Sequence, residues 1–122
     1  MKTIGVVGSR RRDTEQDFEI VKKKFMEVYA PGDIICSGLC SRGADRFAVI
    51  IADELNLPEN ERLWFPANWD KYKKAAGFIR NTDIARESAV LIACVADDRK
   101  GGTEDTVKKF IKFHGKENLI LV

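Results

Sequence analysis

Residues 89–96 read "AVLIACVA". Eight apolar or small side chains follow one another with no polar alternation, so neither face of the segment is built to meet water. Turn-forming residues bound it on both sides, and its length suits a strand. A strand buried on both faces belongs in the middle of a parallel sheet that carries helices above and below. This segment therefore sets the expectation for the whole chain: short buried strands alternating with amphipathic helices.

The flanking sequence follows that pattern. "KTIGVVG" (2–8) is a β-branched run closed by glycine and reads as strand one. "DTEQDFEIVKKKFMEVY" (13–29) puts Phe18, Val21, Phe25 and Val28 at helical spacing, and Asp13 with Gln16 three residues on predicts a capping box. "APGD" stops that helix, and "DIICS" (33–37) is strand two. A second helix is expected from about Arg42 to Asn56, with Phe47, Ile50, Ile51 and Leu55 as its stripe and Ala48, Val49 and Ala52 widening it. So broad an apolar surface is buried on more than one side, either within the monomer or in a homodimer through residues 42–56. "RLWFP" (62–66) is strand three, followed by a helix from near Asp70 or Lys74 to Glu87, loosened around Gly77. "TEDTVKKFIKFHG" (103–115) aligns Val107, Phe110, Ile111 and His114 and stops at Gly115, and "NLILV" is the last strand. Five strands and four helices in strict alternation predict one domain, residues 1–122, of the α/β class: a doubly wound five-stranded parallel sheet flanked by helices.

Composition narrows the function classes. The chain has 122 residues, 44% hydrophobic and 33% charged, which is the profile of a soluble globular domain with a real core. No apolar run approaches the ~20 residues that span a bilayer, and "MKTIGVVGSRRR" enters a strand pattern at once rather than a signal peptide. A cytoplasmic protein with no membrane contact is expected. Three cysteines and one histidine, without a second cysteine pair, fit reduced thiols and give no metal site. No cofactor is expected either. Twenty-one basic against 19 acidic residues leave a net charge of +2, too balanced to argue for nucleic acid. The "KKK" at 22–24 is a solvated helix face, whereas "RRR" at 10–12 directly follows a strand.

Open α/β sheets bind ligands beyond the carboxyl ends of their strands. The loops there are "GSRRR", "SGLCSRGAD" (37–45), "PANWDKYKKAAG" and "DDRKGGT". Three of them combine glycine with serine, threonine or arginine. Free N–H groups at a helix start favour an anion, and glycine lets a phosphate approach the main chain. Ser37, Ser41 and Thr103 offer hydroxyls, and Arg10 and Arg42 offer forked charge. The second loop is thus expected to hold an anionic group over the start of the second helix. The bland reading makes Gly38 and Gly43 parts of a tight turn and Asp45 a first-turn acid that suits the helix dipole. Glu104 and Asp105 would repel a phosphate at the fourth helix, so loops one and two are the expected phosphate site, the two acids being free to accept from ribose hydroxyls. Neither GxxxxGK[ST] nor GxGxxG is present, which disfavours ATP hydrolysis and nicotinamide chemistry.

"VVGSRR", "SGLCSRGADRFA", "FPANWDKYKKAAGFIRN", "AVLIAC" and "GGTEDTV", in that order, resemble the YspA/YpsA-like proteins of the SLOG superfamily. Those proteins share a Rossmann-like domain related to cytokinin-activating phosphoribohydrolases and to DprA DNA-processing proteins. The resemblance covers nearly the whole chain, and its most specific block is Trp69 to Asn81. It implies a nucleotide or nucleotide-derived ligand at Gly8, Ser9 and Arg10; at Ser37, Gly38, Gly43, Ala44 and Asp45; at Arg80 and Asn81; and at Gly101, Gly102 and Thr103. Arg80 would face charge and Asn81 a base edge or ribose, while Trp69 and Tyr72 are stacking candidates or buried aromatics. Leu39 and Lys73 stand where glycines are usual. The hydrolases' motif resembles GGxGTxxE, and its catalytic glutamate falls on Thr106 here, with Glu104 and Asp105 displaced by roughly 100° per residue around the helix.

Three functions follow. The first is a sensor or binding domain that holds a nucleotide-derived ligand intact. The second is an N-glycosidase of nucleoside monophosphates, with Arg80 on phosphate and Glu104 or Asp45 as the acid. The third, disfavoured by the net charge, is single-stranded nucleic-acid binding through Arg10, Arg11, Arg12 and Arg42. Cys36 and Cys40 lie close to the site but, with no basic partner expected near them, read as packing residues.

Overall fold

In the computed structural model, which describes residues 1–122, the run that sets the fold is strand β4 (Val90–Cys94). It pairs in parallel with β1 (Thr3–Gly8) on one side and β5 (Leu119–Leu121) on the other. Leu91, Ile92, Ala93 and Cys94 are all fully buried, as a two-faced burial demands. β2 (Ile34–Ser37) and β3 (Arg62–Trp64) complete an all-parallel sheet of order β3-β2-β1-β4-β5. From β1 the chain moves outward to β2 and β3, then returns to place β4 against the other edge of β1. The order therefore reverses between β1 and β4, and a crevice opens there.

Successive strand residues feed opposite cores. Ile4, Val6, Ile92 and Cys94 pack against α1 (Glu15–Val28) and α2 (Ala44–Glu54), with Phe25, Phe47 and Ile51 as the large fillers. Val7, Leu91 and Ala93 pack against α4 (Ala76–Glu87) and α5 (Gly102–His114), through Ile84, Val107 and Phe110. Each large apolar side chain taken out of water here stabilises the fold by about 1.5–3 kcal/mol. The wide apolar surface of α2 is mostly consumed inside the chain. Phe47, Ala48, Ile51 and Ala52 are fully buried, while Val49 and Ile50 stay half-buried. No helix is long and apolar enough to cross a membrane.

Two local expectations are corrected. The capping box of α1 is Thr14 with Asp17, not Asp13 with Gln16: the Thr14 hydroxyl accepts from the Asp17 N–H at 3.1 Å and the Asp17 carboxylate accepts from the Thr14 N–H at 3.2 Å. Asp13 is drawn away to the second loop. The third helix breaks at Lys73 rather than Gly77. A one-turn α3 (Trp69–Tyr72) ends there, Lys73 takes φ 53° and ψ −129°, and α4 starts after a 3-10 turn with Gly77 inside it. The break falls where the backbone turns left-handed, and a glycine inside a helix is only a modest cost.

Candidate functional site

A cavity of about 370 Å³ opens at the carboxyl ends of β1 and β4. The first loop gives it Gly8, Ser9 and Arg10, α2 gives Asp45, α4 gives Arg80 and Asn81, and the start of α5 gives Gly101, Gly102 and Thr103. Segments expected to converge on one edge of the sheet do so. A second cavity of about 320 Å³ lies alongside, with Gly38 in its wall. Arg10, Cys40 and Arg80 form part of both. Ser37, Arg42, Gly43 and Ala44 line neither, although each was expected at the ligand.

The reason is that the second loop captures the protein's own carboxylates. The Gly43 N–H donates to Asp13 Oδ1 at 2.8 Å, and Arg46 donates to the same oxygen at 3.0 Å. Those contacts, the Gly43 bond first, hold the Asp13 carboxyl below its ordinary value. The Cys40 N–H donates to Asp45 Oδ2 at 3.0 Å. Gly43 sits at φ 75°, and a Cβ on it would lie 2.6 Å from the Ser9 carbonyl oxygen, so loops one and two dock backbone to backbone. Ala44 packs beneath Gly8, and the Arg42 side chain points to solvent. An anion over the start of α2 is thus present, but it belongs to the fold.

Asp45 is the one carboxylic acid in the cavity wall. Burial pushes its pKa up, against the bonds from Cys40 and Ser37 and the charges of Arg80 and Arg10. Ser37, fully buried beneath it, has its hydroxyl 2.6 Å from the Val6 carbonyl and 3.0 Å from Asp45 Oδ1.

The helix start that lines the cavity with its glycines is that of α5. Gly101 precedes it at φ 119°, and no side chain caps it. The first-turn N–H groups of a helix have no partner within it and carry partial positive charge. The two acids expected to repel a phosphate there are both occupied elsewhere. Arg99 clasps Glu104 through two bonds of 2.8 and 2.9 Å, and Asp105 accepts from Asn81 at 3.1 Å and Lys109 at 2.9 Å. Neither lines the cavity; Lys100 and the buried Thr106 do. The position that the resemblance assigns to a catalytic glutamate therefore faces the site, and a threonine fills it. Glu104, a candidate acid, stands two residues before Thr106, about 200° round the helix, and is held by Arg99 outside the cavity.

The arginine run divides by partner. Arg11 forks onto Asp98 at 2.7 and 2.9 Å on the cavity rim. Arg12 is a strut, bonded to Asp17 and to the Val95 and Val122 carbonyls. Arg10 reaches between the cavities, its Nε 3.0 Å from Cys40 Sγ. A basic partner for Cys40 was not expected. The other thiols are ordinary packing groups: burial pushes Cys36 to about 12 and Cys94 to about 11. Arg80 lies across Gly38, donating to its carbonyl at 3.4 Å and to Asn81 Oδ1 at 3.1 Å. A Cβ on Gly38 would meet Arg80 Cδ at 2.6 Å, so glycine is what admits the guanidinium. Cys40, Lys100 and Thr106 were missed as wall residues because nothing in a loop's composition says which side chain turns inward.

Comparison with protein-family models, with curated proteins and with solved structures finds no match in any of the three.

Proposed function

We propose that the chain binds a phosphate- and ribose-containing nucleotide, or a ligand derived from one, at the carboxyl edge of the sheet and holds it without cleaving it. One observation carries this reading: the start of α5, without a side-chain cap, opens into a cavity whose wall holds Arg10, Arg80 and Lys100, besides an Arg11 already paired with Asp98, but only one carboxyl, the buried Asp45. A helix N-terminus ringed by guanidinium and ammonium groups suits a phosphate. Cleavage of a glycosidic bond needs a carboxylate beside the ribose, and Thr106 stands where such an acid is expected. On this reading the phosphate sits at the α5 end rather than at the second loop, whose Cys40 and Gly43 amides already hold Asp45 and Asp13.

Asp45 supports a second reading. A buried carboxyl with a raised pKa can donate a proton to a departing base, so N-glycosidase activity through Asp45 and Arg80 is the alternative; Glu104 has no part in it. Nucleic-acid binding loses Arg12 to the fold and Arg11 to Asp98. A homodimer through α2 would rest on Val49 and Ile50. The protein is incubated with a panel of nucleotides, and mass spectrometry follows retained ligand and released base. An intact retained nucleotide supports binding, base released in proportion to protein supports the glycosidase, and if neither is observed both readings fall.

A further inference from the structure

We infer that the ligand is bipartite, with its anionic group in the first cavity and a planar ring in the second, laid against Trp69. This rests on the nucleotide reading above and says where the base goes. The two cavities are not independent, since Arg10, Cys40 and Arg80 belong to the walls of both. Their remaining walls differ in chemistry. The first is polar, with Ser9, Lys100, Thr103 and the glycines before α5. The second presents Leu39, Pro66, Ala67 and the Trp69 indole.

Trp69 is 54% exposed and Leu39 40% exposed, beside two arginines. An indole left in water at the wall of a cavity gains most from a flat partner, and a base has such a face. A Cβ on Gly77 would stand 3.6 Å from Trp69 Cη2 and 3.8 Å from Arg80 Nη2, so indole edge and guanidinium lie side by side over that glycine. A ring seated on Trp69 therefore has its linker at Arg80, and an anion one step further on meets Arg10 and the start of α5. Trp69 opens α3, a single turn that ends at Lys73 with φ 53°.

Two reporters read the two halves separately. Cys40, between the cavities, is the one cysteine not fully buried, and its alkylation rate follows occupancy of either side. Trp69 emission, in a Trp64→Phe background, follows the second cavity alone. The probes are the four common ribonucleoside 5′-monophosphates and ribose 5-phosphate. A nucleotide is expected to slow alkylation and change Trp69 emission, and ribose 5-phosphate to slow alkylation only. Trp69→Ala should weaken the best nucleotide about 5- to 150-fold, leave ribose 5-phosphate unaffected, and be largely rescued by Trp69→Phe. Should Trp64→Phe not fold, the difference between wild type and Trp69→Ala emission gives the same signal. A nucleotide that binds and protects Cys40 with silent Trp69 and full affinity in Trp69→Ala overturns the bipartite placement and leaves the nucleotide reading intact. No binding of any probe overturns both.

Discussion

Asp45 Oδ1 lies 3.0 Å from Ser37 Oγ, whose single proton already has a shorter partner, the Val6 carbonyl at 2.6 Å. Both contacts are hydrogen bonds together only when Asp45 brings the second proton. Burial favours the same neutral state. The folded protein therefore binds a proton at Asp45 more tightly than the unfolded chain does. The stability gained this way is complete below the ordinary carboxyl value of 3.8 and is lost as pH rises through the raised folded value. Asp45→Asn, a fixed neutral isostere, should remove that downward slope from the difference curve and be at least as stable at pH 7. Asp45→Ala, which leaves the Cys40 N–H unpartnered, should cost about 1–3 kcal/mol. Urea denaturation from pH 4 to 8 measures both, and a wild-type-like slope in Asp45→Asn would refute the assignment.

Asp33 works in the opposite direction. Its carboxylate accepts from the Lys2 N–H at 3.0 Å, the Lys2 ammonium at 2.6 Å and the Ala30 N–H at 2.8 Å. These bonds outweigh its desolvation and hold its pKa below 3.8. Its contribution is present above 3.8 and disappears as pH falls through the lowered folded value. Asp33→Ala should destabilise by about 1–3 kcal/mol at pH 7, with the gap to wild type closing in acid. A gap unchanged between pH 7 and pH 2 contradicts this.

Native thiol chemistry should be confined to Cys40. Cys36 and Cys94 are fully buried, with pKa values near 12 and 11, whereas Cys40 is half-exposed beside Arg10. Iodoacetamide at pH 8 is expected to add one group to the folded protein and three after unfolding, counted by intact mass. Rapid native modification of Cys36 or Cys94 would show that the core opens on that timescale.

Lys73 and Leu39 hold left-handed backbone, at φ 53° and 57°. Such conformations cost a non-glycine residue on the order of 1–3 kcal/mol, and glycine returns part of the gain by its freedom in the unfolded chain. Lys73→Gly should raise stability by about 0.5–2 kcal/mol. Leu39→Gly should gain less, because a half-covered leucine is lost with it. The converse test is Gly43→Ala, which puts a Cβ 2.6 Å from the Ser9 carbonyl at φ 75° and should cost at least ~2 kcal/mol. Thermal melts of the three variants rank them.

Glu104→Gln loses an exposed pair with Arg99 and nothing in the cavity. Nucleotide affinity should stay within about twofold of wild type, as for a surface pair. A collapse of binding, or of any base release, would return Glu104 to the site.

The order of strands and helices was legible because burial leaves a period. "AVLIACVA" could only be a strand covered on both faces, and Val21 and Phe25 could only line a helix turned inward; both stand in the sheet and core as expected. That the glycine loops share one edge follows from parallel topology alone. The facing of individual loop side chains leaves no period, and partners far away in the chain decide it. Arg11 is fixed by Asp98, 87 residues on, and the Gly43 amide by Asp13, 30 residues back. Ser37 and Arg42 looked equivalent to Ser9 and Arg10 as residue types, yet one is sealed under Asp45 and the other turns to water.

The sequence by itself determined the fold class, the alternation of elements and the edge of the sheet where the glycine loops gather, since each follows from local apolar period and chain connectivity. Only the tertiary structure decided which helix start is open. α2 and α5 both begin after glycine without a side-chain cap, but the Cys40 and Gly43 amides before α2 are filled by Asp45 and Asp13, whereas Gly101, Gly102 and Thr103 at the start of α5 line the cavity. That choice depends in part on Asp13, a carboxylate brought in from the first loop 30 residues back, and nothing in the second loop marks its arrival.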